Sequence, residues 1–145
     1  MAFTLIGDIV ASRQVDDRAL LQERLAEVLR RSNTELRPKV RFEPTIGDEF
    51  QACFYSVAQA VRASLLVRLD LLRTAGVDSR YGLGVGDVEV FSRSPLSQDG
   101  PGWWAAREAM ESSRWLAQRS QTAFVRTYFE AHRPLRSRWG ARRRL

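Results

Sequence analysis

The order of apolar segments limits the possible folds of this chain more than any other feature. An apolar run, AFTLIGDIVAS, comes first and reads as a buried strand ending near Asp8. Asp16 or Asp17 can cap a helix from about Arg18 to Ser32, with Leu21, Leu25, Val28 and Leu29 on one stripe. VRFEPTI and EFQACFY flank Gly47-Asp48, a pair suited to a tight hairpin, and Pro44 assigns the first arm to a sheet edge. A second helix is expected over Ser56 to Thr74, with Val57, Val61, Leu65, Leu69 and Leu72 along one face and Gly76 as its stop. SRYGLGVGDVEVF reads as a strand in which three glycines admit something close to the backbone. SRSPLSQDGPG reads as a loop, Trp103 to Arg119 as a third helix and TAFVRTYF as a short last strand. Two right-handed βαβ crossovers joined in this way predict an α+β fold. Its ferredoxin-like βαββαβ sheet has helices on one face and an additional C-terminal helix. One domain over residues 1–130 is expected, followed by a basic tail over 131–145.

Composition excludes several chemistries. A single cysteine, Cys53, allows no internal disulfide, and with a single histidine, His132, one chain cannot build a Cys/His zinc site. A Ser-His-Asp or Cys-His centre would need His132 to act from a charged tail. Carboxylate chemistry is what remains for metal or acid–base work. The net charge of +6 lies entirely in the last thirteen residues, RPLRSRWGARRRL, which hold six arginines and no acid. The basic pI therefore describes a tail with a neutral body, and the tail is expected either to bind nucleic-acid phosphate or to remain a solvated, disordered segment. No apolar run approaches the roughly eighteen residues of a membrane span. The start has neither a basic leader nor a cleavage pattern, so a cytoplasmic protein without membrane contact is expected.

The expected topology lays the third strand antiparallel beside the first, which brings Asp8 and Asp48 to one end of the sheet across forty residues of sequence. Two carboxylates so placed repel unless a cation lies between them, and a hard dication with oxygen ligands, Mg²⁺ or Mn²⁺, suits the pair. The amides of Ile9, Val10 and Ala11 can cradle a polyphosphate. Turn chemistry accounts for either aspartate alone, and both readings stay open for the pair. Glu49 is expected to be solvated or salt-bridged, Cys53 to be core, and Trp103 and Trp104 to pack in the core or at a dimer contact.

GDIVASR, TIGDEFQACF, RYGLGVGDVE and DGPGWWAAREAME, in that order, resemble the SatD family over roughly residues 1–118. More distantly, the same blocks are similar to the palm domain of class III nucleotide cyclases and GGDEF diguanylate cyclases. That resemblance implies two Mg²⁺ held by Asp8, Asp48 and the Ile9 carbonyl, gripping a nucleoside triphosphate, with Arg107 at the position of the transition-state arginine. It also implies a homodimer. Two positions depart from the cyclase pattern. Pro44 stands where a lysine reads adenine, and Trp103 stands where an asparagine orients the ribose. These departures weigh against cyclisation of ATP and leave metal–phosphate binding in a sensing, regulatory or phosphoryl-transfer role.

Overall fold

In the computed structural model, which describes residues 1–93 and 96–132, the first strand is the middle of the sheet. Strand β1 (Ala2–Ile9) lies between β3 (Phe50–Phe54) and β4 (Ser79–Gly86) and is antiparallel to both. β2 (Val40–Pro44) forms one edge, with Pro44 on it as expected. β7 (Thr127–Ala131) pairs parallel with β4 at the other edge, for a strand order of β2-β3-β1-β4-β7. The four strands from β2 to β4 have the ferredoxin-like order. β7 ends at Ala131, and the arginine-rich residues 133–145 lie outside the described residues.

Helix α1 (Arg18–Leu36) starts where Asp17 accepts a bond from the Leu20 amide at 2.9 Å. It runs past Ser32, where the expected helix ended, because Asn33 serves a tertiary partner. The Asn33 side chain accepts from the Phe42 amide at 2.7 Å and donates to the Phe42 carbonyl at 3.0 Å. These bonds pin the edge strand where its register slips. Only Pro38 stops the helix, after Arg37 has turned left-handed. Helix α2 (Val57–Ala75) ends at Gly76, whose φ of 64° suits glycine.

α1 and α2 cover one face of the sheet, with Leu21, Leu25, Val28 and Leu29 packed on Leu5, Ile9, Phe54 and Leu83. α2 does not bury the expected row. Ala60, Ala63, Ser64, Val67 and Leu71 face inward, while Val57, Val61, Leu65, Leu69 and Leu72 are 41–60% exposed. A helix with two apolar rows packs by the one that lets backbones approach, and the alanines make that the smaller row.

Helix α3 (Pro101–Ala117) covers the opposite face, where Ile6, Cys53, Trp103, Ala106 and Met110 form a second cluster. Gly82, Gly84 and Gly86 lie beneath it, and a methyl group on any of them would strike α3 backbone. The expected strand SRYGLGVGDVEVF breaks after Gly86, and its end, with the segment expected as a loop, forms a two-stranded ribbon, β5 (Glu89–Arg93) with β6 (Leu96–Asp99), apart from the main sheet. β6 is mostly polar, so no apolar alternation marked it in the sequence. No helix among the described residues is long and apolar enough to cross a membrane.

Candidate functional site

Side chains alternate along β1, so Leu5 and Ile9 join the α1–α2 core while Ile6 and Asp8 turn toward α3. Asp8 is 8% exposed. The glycine before it has its own reason: the Phe50 ring of β3 lies across Gly7 and fills the space of a Cβ. Phe50 in turn packs edge-on against Tyr81 at 6.0 Å. The strand end is thus held on one face by aromatics, and its carboxylate is presented on the other.

A buried carboxylate requires partners, and Asp8 has one for each oxygen. The Arg114 guanidinium of α3 donates to Oδ2 at 2.7 Å, and Arg80, opposite Asp8 in the β1–β4 register, donates to Oδ1 at 3.4 Å. Arg114 also bonds Glu111 at 2.6 Å, one turn back on the helix. Burial disfavours the Arg114 charge, but the bonds and charges of Asp8 and Glu111 together outweigh it and raise the guanidinium pKa above its ordinary value. The sequence reading found neither arginine. Arg80 was marked by the register alone, and Arg114 by its spacing of two helical turns from Arg107.

The hairpin turn brings a second acid to the same end. The β1–β3 ladder ends at the Gly7–Phe50 pair, so Glu49, the residue before Phe50, comes at the end of the sheet where Asp8 follows Gly7. Arg107 of α3 grips Glu49 with two 2.7 Å bonds, one to each oxygen. Glu49 is therefore salt-bridged, one of the two states expected of it. The Arg107 bonds hold its carboxyl below the usual range although burial pulls the other way. The turn itself is closed by the Thr45 amide on the Glu49 carbonyl at 2.8 Å and by the Glu49 amide on Ile46 at 3.1 Å. Asp48 sits in this turn, half-buried, and its carboxylate makes no hydrogen bond or ion pair among the described residues.

The polyphosphate turn is tied down more closely than its sequence indicated. Ile9 closes β1, and the Val10 amide is already donated to the Asp78 carbonyl at 2.9 Å. Ala11 takes φ 56°, a left-handed conformation uncommon for a residue with a Cβ, and leads into a single 3-10 turn over Ser12–Gln14. α1 begins only at Arg18, so these amides do not form a helix N-terminus. Trp103 is core, as expected. Trp104 is half exposed and donates its indole N–H to Asp99 at 2.9 Å.

Asp8 and Asp48 offer the hard oxygen donors that a Mg²⁺ or Mn²⁺ ion takes, and the open Asp48 carboxylate fits that use. Among the described residues no group of three acid, histidine or cysteine side chains gathers to complete a cage. A cation at Asp8 must displace two guanidiniums. The donors present are thus two aspartates from one end of the sheet, and any ion they held would take its remaining ligands from a bound molecule or water.

The lowered Glu49 pKa sets the sign of an acid-limb effect. Its folded value lies below its unfolded value, so the stability it contributes is present above the ordinary carboxylate pKa of about 4.3 and lost as pH falls through the folded one. Denaturant melts of Glu49→Gln are expected to show a shallower loss of stability than the parent below about pH 4. Superimposable acid limbs would exclude this role for the pair.

The SatD family model matches residues 2–125 of the chain. No curated protein matches it. Among solved structures, it resembles a bacterial light-regulated adenylyl cyclase at 18% identity and a TM-score of 0.64, over 79% of this chain and 40% of that one. It thus spans well under half of that protein. A rhodopsin-guanylyl cyclase catalytic core with converted specificity, in complex with ATPαS, matches at 18% identity and a TM-score of 0.62, covering 77% and 71%. An adenylate/guanylate cyclase/hydrolase from Silicibacter pomeroyi matches at 17% and 0.58, covering 83% and 80%. At such identities these likenesses establish a shared palm fold.

Proposed function

The chain belongs to the SatD family, and from that premise and its cyclase-like fold we propose that it binds a nucleoside triphosphate with Mg²⁺ or Mn²⁺ at the Asp8–Asp48 end of the sheet. The observation that supports this reading is the pair of ion-pair groups tied to α3, Asp8 with Arg80 and Arg114 and Glu49 with Arg107, with the unbonded Asp48 next to Glu49 in the hairpin turn. Carboxylates there suit a dication, and guanidiniums suit phosphate oxygens. When bound, the ion would supply charge neutralisation between the aspartates and the phosphates. Arg107 is at the position that, by resemblance, faces the reacting phosphate, and the turn over Ile9, Val10 and Ala11 borders it.

Binding in a sensing, regulatory or phosphoryl-transfer role accounts for the residues better than ATP cyclisation. Trp103, at the ribose-orienting position, is packed among Ile6, Cys53, Ala106 and Met110. Pro44, at the base-reading position, ends an edge strand and has no N–H. A site lacking the polar partners of a base and a ribose loses several kcal/mol of discrimination. By resemblance the protein works as a homodimer.

Thermal shift with ATP, GTP, CTP and UTP, with and without Mg²⁺ or Mn²⁺, tests the reading. A nucleotide at about a hundred times its Kd contributes about 2.7 kcal/mol, which is roughly a 5–15 °C rise for a domain of this size. Asp48→Ala is expected to keep the parent melting temperature without ligand and to lose the rise. If no nucleotide shifts the parent, or if Asp48→Ala shifts equally, the reading is wrong.

A further inference from the structure

We infer that Arg80 and Arg114 join Arg107 in receiving the triphosphate, and that they are held on Asp8 until a divalent cation takes their place. The inference rests on the nucleotide reading above and adds to it the groups that bind the phosphates and the order they impose. Each oxygen of Asp8 carries one guanidinium, and the Asp8 side chain is only 12% exposed. A carboxylate so enclosed cannot release two cations into nothing; it exchanges them for another positive charge. The exchange leaves Arg80, 16% exposed, without its carboxylate and Arg114, 34% exposed, with only the Glu111 bond of its NH1 nitrogen, so that its NH2 nitrogen is open at the rim of the same site. Guanidiniums in that state take phosphate oxygens in two-bond forks.

Charge at the site points the same way. Asp8, Asp48, Glu49 and Glu111 oppose Arg80, Arg107 and Arg114, so the site without metal has one more acid than base and repels a polyanion. A dication reverses that sign and releases Arg80 and Arg114 from Asp8 in one event, with Arg114 still held by Glu111 through its other nitrogen. Metal and polyphosphate should therefore each bind weakly alone and strengthen one another, and by linkage the two strengthenings are equal. Arg107 differs from the other two, because its fork on Glu49 is not contested by an ion on Asp8.

The experiment titrates Mn²⁺ alone, inorganic tripolyphosphate alone in EDTA, and the two together into the full chain by calorimetry, with no choice of base required. For the parent, each ligand is expected to tighten the other by about tenfold or more. Arg114→Gln is expected to move the two affinities in opposite directions. Mn²⁺ alone should bind about tenfold tighter, because Asp8 has lost a competitor, and tripolyphosphate with Mn²⁺ about tenfold weaker. Asp8→Asn should bind tripolyphosphate in EDTA more tightly than the parent, since its arginines have no carboxylate to hold. A change of the same sign in both Arg114→Gln affinities, or no gain in EDTA by Asp8→Asn, overturns the inference. Parent binding of both ligands without mutual strengthening overturns it as well and leaves the nucleotide reading standing. Parent binding of neither ligand, alone or together, removes both.

Discussion

Replacing Gly84 by alanine is expected to cost about 3 kcal/mol or more, a large share of the roughly 5–15 kcal/mol by which a domain is stable. A Cβ at that position would meet the Ala106 amide nitrogen, the Gly102 carbonyl oxygen at 2.5 Å and the Thr4 hydroxyl at 2.8 Å. Two of these atoms are helix backbone, which cannot rotate aside as a flexible side chain can. The Thr4 hydroxyl is itself bonded to the Gly102 carbonyl at 2.7 Å, so relief by moving α3 outward breaks a buried hydrogen bond too. α3 carries Arg107 and Arg114, and a helix lifted from the sheet takes both away from Glu49 and Asp8. Gly76→Ala serves as the control. Its φ is 64° with nothing within 4 Å, so only backbone strain of about 1 kcal/mol is expected. Urea unfolding that finds the two variants equally stable would refute a steric role for Gly84.

Asp78→Ala is expected to be the most damaging change among the polar residues away from the site, at about 2–3 kcal/mol. Asp78 receives Arg68 of α2 at 2.7 Å on one oxygen and Arg126, just before β7, at 2.7 Å on the other. Arg68 also reaches the second oxygen at 3.2 Å, and the Ser79 amide adds a fourth bond at 2.8 Å. Burial alone would raise its pKa, but the bonds from Arg68, Arg126 and Ser79 outweigh burial and hold it below the usual range. The three side chains are a fifth to a third exposed, so the loss is set below the 3–5 kcal/mol of a fully buried pair. The Asp78 carbonyl also holds the Val10 amide, which alanine can still do. Asp78→Ala should thus lose stability while the turn after Asp8 keeps its shape. Denaturant unfolding of Asp78→Ala within 0.5 kcal/mol of the parent would show that these ion pairs carry no net stability.

The sequence carried the fold wherever an element's own pattern decided it. Leu21, Leu25, Val28 and Leu29 have no competing apolar row on α1, and they are buried as the periodicity predicts. Pro44 cannot donate to a ladder, and it lies on the edge. On α2 two apolar rows compete, and periodicity cannot choose between Leu65 and Val67 without knowing how near the sheet comes. The glycines of β4 announced a close neighbour, and the neighbour is α3. At the site, the shared end of β1 and the hairpin followed from topology. Arg80 and Arg114 did not, because an ion pair between residues 8 and 114 depends on which face α3 covers and at what angle. No local spacing encodes that.

The central position of β1 also constrains how the protein is made. The ribosome delivers this strand before either of its hydrogen-bonding neighbours, and the second of them is finished only with Gly86. Through that interval Leu5, Ile6 and Ile9 have no sheet to enter, and contacts closed over such loops form slowly. The helix that seals the far side, with its two arginines, is translated later still. Asp8 is therefore synthesised before every residue that comes to surround it, so the nascent chain passes through a stage in which an apolar strand must be kept from neighbouring chains.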